Sequence, residues 1–456
     1  MGRMLTVTDV CEALGDQLVA SRPGTHESFQ AGAIDSRMSG PGDLFFALRG
    51  ERADGHDFVS QALESGASGF VVERPAELAV AAAFHVSDSL LSLQRIAAYW
   101  RTRHDVRVVG VTGSVGKTTA KELIAHVLSS RFRTLKSEAN LNTEIGIPLT
   151  LLQLRKEHER AVLEMAMYSR GEIALLARIS RPVVGVVTNV GPVHLERLGY
   201  MGAIVAAKAE LIEALPSDGL AVLNGDDART TGFARRTRAR TVLFGTSEHC
   251  HFRASDIRSR GLAGIEFQMK TPTGDAHVRC PLPGRHHVYA ALAAAAVALN
   301  EGIPLDEITA GLTDARPDLR LTPRTGPNGS VIIDDSYNAS PASMLAALDL
   351  LSECPGRRIA VLGEMRELGA ASQEGHRTVG QHTQGRCDAV VVVGEDARLI
   401  EEGARSAGHP SVWFVPSAEE AAAFLARELH SGDYALIKGS RAVGLESVVD
   451  ALVAAA

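Results

Sequence analysis

A glycine-rich segment that ends in lysine and threonine carries the clearest chemical signal in the sequence. It reads Val106-Arg-Val-Val-Gly-Val-Thr-Gly-Ser-Val-Gly-Lys-Thr-Thr119, which predicts a strand, a loop and the start of a helix. Backbone N–H groups of such a loop can surround phosphates, while its lysine contacts the β- and γ-phosphates and its hydroxyl binds Mg²⁺. A strict phosphate loop has glycine at position 111, where this chain has valine, so a turn that binds nothing is the competing interpretation. The complete pattern favours a nucleotide site formed by Gly113, Ser114, Val115, Gly116, Lys117, Thr118 and Thr119.

Three side chains further along the chain could assist phosphoryl chemistry. Glu164 ends the apolar run 161–163, at the carboxyl end of a predicted strand, where it could share a Mg²⁺ ion with Thr118. His194 follows the strand predicted over residues 183–190. Lys208 falls within the apolar stripe of a predicted helix over 203–215, so its amine could be buried and neutral. Taken singly, each has an ordinary alternative: a solvated carboxylate, a loop histidine and a lysine that reaches past the core to water.

The elements that must position these groups alternate regularly. Short runs rich in Val and Ile alternate with helical patterns, which is typical of parallel sheets. Strands are predicted at 43–48, 69–73, 106–112, 161–164, 183–190, 220–224, 241–245, 331–335, 358–363, 389–394, 412–415 and 435–438. Residues 257–281 predict antiparallel additions, 287–300 a helix, and 316–324 a linker rich in Pro, Arg and Thr. The predicted fold class is α/β with three domains: a small N-terminal α/β domain (1–105), a central P-loop NTPase-like parallel sheet (106–316) and a C-terminal Rossmann-like doubly wound domain (317–456).

Composition and charge agree with this organisation. The 456 residues suit three domains at about 150 residues each. A formal charge of −7 argues against a nucleic-acid partner. Five scattered cysteines without a C-x-x-C pair indicate a reducing compartment. The first ten residues carry no secretory signal and no apolar run reaches about 18 residues, so we expect a cytoplasmic monomer without membrane insertion.

The phosphate loop, Glu164, His194 and Lys208, in this order, resemble the Mur ligases, ATP-dependent enzymes that form amide bonds in peptidoglycan synthesis. Further motifs span the chain and are similar to the branch of that family that joins D-alanyl-D-alanine to a UDP-N-acetylmuramoyl-tripeptide. They are Asp35-Ser-Arg37, Asp54-Gly-His-Asp-Phe58, Asn140-Leu-Asn-Thr-Glu-Ile-Gly-Ile-Pro-Leu149, Asp334-Asp-Ser-Tyr-Asn-Ala-Ser-Pro341, Val361-Leu-Gly-Glu-Met-Arg-Glu-Leu-Gly369 and Lys438-Gly-Ser-Arg441.

The resemblance implies an ATP-dependent ligase that works through an acyl phosphate and uses two Mg²⁺ ions. Its catalytic residues would be Lys117, Glu164, His194 and Lys208. One ion would bind Thr118 and Glu164, and the other would bind His194 and Lys208, whose amine would be carbamylated. The resemblance also implies UDP contacts at Ser36 and Arg37, acyl-substrate contacts at Asn140 and Asn142, nucleotide contacts at Arg320 and Asp335, and cleft positions at Tyr337 and Asn338.

The chain departs from the family pattern at several positions. They are Ala139 in place of Gly, and Thr143, His287 and Ala290 in place of Asn. In the family the last of these asparagines contacts adenine, so recognition of the base is expected to differ here. The alternatives left open are another Mur-type ligase with a different amino-acid substrate, a folylpolyglutamate synthetase, a regulatory P-loop ATPase and a UDP-sugar-binding protein without turnover. The motif at 334–341 argues against the first two. The sequence does not decide whether the third residue of the peptide is diaminopimelate or lysine.

Overall fold

The first region of the chain is a small sheet with helices packed against it. The computed structural model describes residues 4–51, 53–74, 81–193, 195–315 and 321–454. The elements of this region are β1 (Leu5–Thr6), α1 (Val7–Leu14), β2 (Leu18–Arg22), β3 (Ser28–Phe29), β4 (Gly32–Ala33), β5 (Leu44–Phe46), α2 (Val59–Glu64), β6 (Gly69–Val72), β7 (Ala82–Val86) and α3 (Ser89–Thr102). The main sheet has the order β2-β7-β6-β5-β4, and only β2 runs antiparallel to its neighbour. Strands β5 and β6 confirm the two strands predicted here.

Helix α3 joins this first region to the next one through a continuous hydrophobic core. The Trp100 indole donates a hydrogen bond to the Leu154 carbonyl at 3.2 Å. The buried Arg101 guanidinium donates to the carbonyls of Ser180 and Val106 at 2.9 and 2.8 Å. Because a buried charged group is costly unless its N–H groups are paired, these bonds fix the angle at which α3 meets the second region.

The second region is built on a nine-stranded sheet. Its elements are β8 (Arg107–Thr112), α4 (Lys117–Leu128), β9 (Thr134–Lys136), α5 (Gly146–Leu152), β10 (Arg160–Glu164), α6 (Glu172–Ser180), β11 (Val184–Val187), α7 (Leu195–Leu198), α8 (Met201–Glu213), β12 (Leu220–Asn224), α9 (Ala228–Thr231), β13 (Arg240–Gly245), β14 (Phe252–Ser259), β15 (Ile265–Thr271), β16 (Gly274–Cys280), α10 (Val288–Asn300) and α11 (Leu305–Asp314). The order is β16-β15-β14-β13-β12-β11-β8-β10-β9. All neighbours are parallel except the pairs β14–β15 and β15–β16, which confirms the antiparallel additions.

The third region is a six-stranded sheet with helices on both faces. Its elements are β17 (Thr322–Thr325), β18 (Val331–Asp335), α12 (Pro341–Ser352), β19 (Arg358–Gly363), α13 (Ser372–His382), β20 (Ala389–Val393), α14 (Arg398–Ser406), β21 (Val412–Val415), α15 (Ala418–Glu428), β22 (Tyr434–Lys438) and α16 (Glu446–Ala454). The order is β17-β18-β22-β19-β20-β21, and the five predicted strands are parallel.

Strand β17 corrects the prediction of a linker over residues 316–324. It runs antiparallel to β18 at the edge of the sheet, whereas 316–320 lie outside the described residues. The composition was misleading because an edge strand accepts proline, here Pro323, at a position where a central strand would lose a hydrogen bond.

The alanine-rich stretch that begins after His287 is a helix of the core. Helix α10 is 13 residues long, and Ala291 together with Ala293–Ala296 of that helix is fully buried. Small side chains let α10 approach α4 and the sheet closely, so the run serves packing. Within the described part of the chain, no helix is long and apolar enough to span a bilayer. The five cysteines are all free thiols, as their scatter predicted.

Candidate active site

The predicted phosphate loop has the expected strand–loop–helix geometry. Strand β8 ends at Thr112, and α4 begins at Lys117 after Gly116, which adopts a φ of +80°. Gly113 adopts a φ of +151°, and a Cβ there would lie 1.9 Å from the Thr188 hydroxyl oxygen. Only glycine therefore fits at position 113. The first-turn amides of α4, at Lys117, Thr118 and Thr119, have no partner within the helix and form an anion-binding surface.

A second segment, residues 189–191 after β11, forms hydrogen bonds that hold this loop in place, and it was not predicted from the sequence. The Asn189 side chain both accepts from the Val115 N–H and donates to the Val115 carbonyl, each at 2.9 Å. The Ser114 N–H donates to the Asn189 carbonyl at 3.0 Å, and its hydroxyl accepts from the Gly191 N–H at 2.8 Å. The amides of Ser114 and Val115 thus bond to protein in this structure. A polar residue directly after an apolar strand was the signal that could have found Asn189.

Lys208 and Lys117 meet at one carbonyl of the phosphate loop. Lys208 is only 2% exposed on α8, and its Nζ donates to the Gly113 carbonyl at 2.8 Å. The Lys117 Nζ donates to the same oxygen at 2.9 Å. Burial, and secondly the charge of Lys117, lower the pKa of the Lys208 amine well below its ordinary value. This confirms the predicted burial of Lys208, and the direction of the pKa shift favours the neutral form of its amine.

Glu164 lies on the neighbouring strand, at the same edge of the sheet. It pairs in register with Val111 of β8 and is 3% exposed. Its Oε1 accepts a hydrogen bond from the Asn142 amide at 2.9 Å, whereas its Oε2 is buried with no hydrogen-bond partner. A buried carboxylate oxygen without a partner fits a cation, and a carboxylate together with the Thr118 hydroxyl supplies the oxygen ligands that Mg²⁺ prefers.

The other metal ligand predicted for this edge, His194, lies outside the described residues. In the part of the chain that the structure describes, no three His, Cys, Asp or Glu side chains are grouped closely enough to hold a metal ion. Among the described residues, Glu164, Thr118 and Lys208 are the predicted ligands at this edge, and a phosphate of the nucleotide would share the ion with them. Such a shared site is typical of Mg²⁺ bound with a nucleotide.

At the end of β18 in the third region, Asp335 forms a buried ion pair with Lys438 of β22 at 2.6 Å. The Lys438 Nζ also donates to the Asn338 carbonyl at 2.8 Å. Tyr337 is 40% exposed, and the Arg441 guanidinium lies 5.5 Å from the centre of its ring. The ion pair fixes the loop that presents Tyr337 and Asn338, whereas Arg320 lies outside the described residues.

The second and third regions approach each other near Tyr168 and Gly369. On the second region, the Arg197 guanidinium lies 4.9 Å from the centre of the Tyr168 ring. Burial, and then the charge of Glu367 on the third region, raise the pKa of Tyr168. At Gly369 the two backbones meet, since a Cβ there would lie 3.1 Å from the Glu196 nitrogen. Each of the two regions thus presents a tyrosine ring covered by an arginine: Tyr168 with Arg197 on the second region, and Tyr337 with Arg441 on the third.

The predicted contacts in the first region lie before β5. Arg37 is exposed, and its guanidinium donates two hydrogen bonds to the Asp35 carboxylate, at 2.9 and 2.7 Å. These bonds lower the pKa of Asp35 to about 2. Ser36 is buried, and its hydroxyl donates to the Gln61 amide oxygen at 2.8 Å. Asn140, predicted to contact the acyl substrate, is exposed on the loop before α5. Arg37 and Asn140 are therefore open to a ligand.

Comparison with known proteins shows what the chain is similar to. Residues 31–100 match the model of the Mur ligase family, catalytic domain, residues 111–298 that of the Mur ligase middle domain, and residues 319–441 that of the Mur ligase, glutamate ligase domain. The chain is 36% identical to the UDP-N-acetylmuramoyl-tripeptide–D-alanyl-D-alanine ligase of Escherichia coli (strain K12), over 98% of this chain and 99% of that one.

Two solved structures are similar over nearly their whole length. MurF from Acinetobacter baumannii superposes with a TM-score of 0.89 at 32% identity, covering 99% of both chains. MurF ligase from Thermotoga maritima in complex with ADP superposes with a TM-score of 0.81 at 30% identity, covering 93% of this chain and 97% of that one.

Proposed function

This chain belongs to the Mur ligase family, and from that premise we propose that it is an ATP-dependent ligase that joins D-alanyl-D-alanine to a UDP-N-acetylmuramoyl-tripeptide. The terminal carboxylate of the tripeptide attacks the γ-phosphorus of ATP, which yields an acyl phosphate and releases ADP. The amine of the dipeptide then attacks the acyl carbon, and inorganic phosphate leaves. The product is an amide, and the amine proton passes to solvent or to the departing phosphate.

The observation that carries this proposal is the meeting, at one edge of the sheet, of Lys117 and the phosphate-loop helix with the buried Lys208 and a Glu164 oxygen that has no hydrogen-bond partner. Lys117 stabilises the charge that develops on the transferred phosphoryl group, and the first-turn amides of α4 orient it. Thr118 and Glu164 would hold one Mg²⁺, and His194 with a carbamylated Lys208 a second. Bound Mg²⁺ neutralises phosphate charge and so lets two anions meet. The neutral amine of Lys208 is the form that reacts with CO₂.

We further propose a division of work among the three regions. Residues 1–105 bind the UDP part through Ser36 and Arg37, and residues 106–316 bind ATP and the acyl end, with Asn140 and Asn142 beside it. Residues 317–456 bring the dipeptide, with Tyr337 and Asn338 at the cleft and with Arg320 and Asp335 toward the nucleotide. The chain would act as a monomer in the cytoplasm, without nucleic acid or membrane partners.

The test is phosphate release from ATP in the presence and absence of each substrate, run with tripeptides that end in diaminopimelate or in lysine. A ligase releases phosphate only when tripeptide and D-alanyl-D-alanine are both present. Release without either substrate would instead identify a regulatory ATPase, and no release with tight UDP-tripeptide binding would identify a binding protein. Replacing the dipeptide with single amino acids tests the alternative of another Mur-type ligase.

Lys208→Ala should nearly abolish amide formation while ATP-analogue binding persists, because Lys117 and the loop amides remain. We expect a loss of about 10²-fold or more, as for removal of one strong electrostatic contact in an enclosed site. Short carboxylic acids added to this variant should restore part of the activity by replacing the carbamate. Full activity in Lys208→Ala would exclude the carbamate.

A further inference from the structure

The orientation of the Glu164 carboxylate is set by the segment between β9 and α5. A carboxylate only accepts hydrogen bonds, so the group of Asn142 that lies 2.9 Å from Oε1 is its NH₂ donor. The Asn142 backbone carbonyl in turn accepts from the Ala166 N–H at 2.9 Å, two residues after Glu164. Side chain and backbone of Asn142 thus both bond to the end of β10.

The start of the same segment is anchored as firmly. The Ser137 hydroxyl accepts from the Glu164 N–H at 3.0 Å, and the Ser137 N–H donates to the Val162 carbonyl at 3.0 Å. Lys121 of α4, which is fully buried, donates from Nζ to the Ser137 carbonyl at 2.6 Å. Residues 137–142 are therefore tied both to the strand that carries Glu164 and to the helix that follows the phosphate loop.

The two carboxylate oxygens of Glu164 therefore have different surroundings. Oε1 is occupied by Asn142, and Oε2 is left buried with no hydrogen-bond partner. Without the Asn142 donor, the carboxylate could rotate and share its oxygens between orientations. With it, one oxygen stays turned away from protein donors and is available to a cation.

We propose that Asn142 is a positioning residue for the metal-binding carboxylate of Glu164, in addition to its predicted place near the acyl substrate. The inference rests on the proposed function, since it takes Glu164 as a ligand of the Mg²⁺ that accompanies ATP. Hydrogen-bonding partners of metal ligands affect metal affinity by about 10–100-fold when they are replaced. Asn142 therefore acts on metal affinity through Glu164, without touching the metal.

The experiment measures Mn²⁺ affinity by electron paramagnetic resonance, with a non-hydrolysable ATP analogue and without tripeptide or dipeptide. We expect Asn142→Ala and the similarly sized Asn142→Leu to weaken Mn²⁺ binding roughly tenfold, while affinity for the analogue in EDTA stays unchanged. Thr143→Ala is the matched control, because the hydrogen bond described for its hydroxyl is accepted from the Gly146 N–H at the start of α5 and does not involve Glu164. It should bind Mn²⁺ like the unaltered protein.

Wild-type Mn²⁺ affinity in both Asn142 variants would overturn the inference, as would an equal loss in Thr143→Ala. Glu164→Gln separates this result from the proposed function. If Glu164→Gln loses Mn²⁺ and the Asn142 variants do not, only the positioning role fails. If Glu164→Gln keeps full Mn²⁺ affinity, the metal role of Glu164 fails and the inference fails with it, whatever the phosphate-release assay shows.

Discussion

At the scale of single residues, the two lysine amines on the Gly113 carbonyl define the chemistry of the site. Both amines lie within hydrogen-bond distance of this one oxygen, at 2.8 and 2.9 Å, and Lys117 has a second acceptor in the Ser114 carbonyl, so the charge of Lys117 disfavours a charge on Lys208. Lys208 is the more deeply buried of the two, and burial together with the charge of Lys117 lowers its pKa. The reactive amine is thus created by the position of a second lysine as well as by burial.

The stability of the protein should report this lowered pKa. Between the lowered value and the ordinary value of about 10.4, the unfolded chain binds one more proton at Lys208 than the folded chain does. Its contribution to stability therefore rises with pH across that window and is lost as pH falls through the folded-state pKa. Lys208→Met removes this dependence, so wild type should gain stability relative to the variant as pH increases.

The measurement is the urea midpoint of both proteins from about pH 6 to about pH 10 in CO₂-free buffer. Lys270→Met provides the control, because Lys270 is exposed and its replacement should shift the midpoint equally at every pH. A difference between wild type and Lys208→Met that does not change with pH would contradict the expectation.

The sequence predicted part of this site and missed its supports. The strand-end position of Glu164 and the burial of Lys208 follow from periodicity, because both are local properties of an element. The bonds from Asn189 to the loop and from Asn142 to Glu164 join residues 74 and 22 positions apart. Such contacts depend on which strands become neighbours, and a single sequence does not encode that in any local pattern.

At the scale of elements, the apolar, alanine-rich composition of helix α10 fits either a membrane-spanning segment or a buried core helix, and the structure shows the second. Its alanines are fully buried between α4 and the sheet, where no room is left for a larger side chain. Twelve of the parallel strands were predicted to within three residues because apolar runs mark them, whereas the parallel strands β4, β7 and β9 were not predicted. The edge strand β17 and the short strands of the first region were missed, since they are brief, partly polar and stabilised by pairing partners distant in sequence.

Ala294→Leu should therefore lower the free energy of unfolding by about 1–3 kcal/mol, because extra methylene groups in a close-packed core force neighbouring helices apart. Urea denaturation followed by circular dichroism measures the change. Ala310→Leu is the matched control on the adjacent helix α11, where the side chain is exposed and the substitution should be nearly neutral. Equal effects of the two substitutions would show that the α10 interface can expand.

At the scale of the whole molecule, the two joints between regions differ in kind. The first and second regions share one hydrophobic core, whereas the second and third meet through polar residues, the backbone contact at Gly369 and the apolar side chain of Leu262, which packs on the core of the third region. Interfaces of this kind permit relative motion, which suits the role proposed for the third region in bringing the dipeptide.

Gly369→Leu should separate the second and third regions, since a side chain there would enter the backbone of Glu196. We expect the rate of amide formation to fall by about 10²-fold, as for a misplacement of about 1 Å at the reacting groups. Binding of an ATP analogue should change little. Gly385→Leu is the control, because Gly385 also has a positive φ, of +73°, but no atoms within 4 Å of its Cβ position. Equal loss in both variants would assign the effect to backbone strain instead of separation.

The core shared through α3 has a consequence for substrate length. Strand β4 leads to Arg37, and a Cβ at its Gly32 would lie 2.6 Å from Leu152 of α5, so the region proposed to bind UDP packs directly on the region that carries the phosphate loop. Two anchor points on one close-packed body keep a constant separation. Under the proposed function, that separation would set the length of the stem peptide: a chain one residue too short would leave its carboxylate out of reach of the γ-phosphate, and one too long would carry it past.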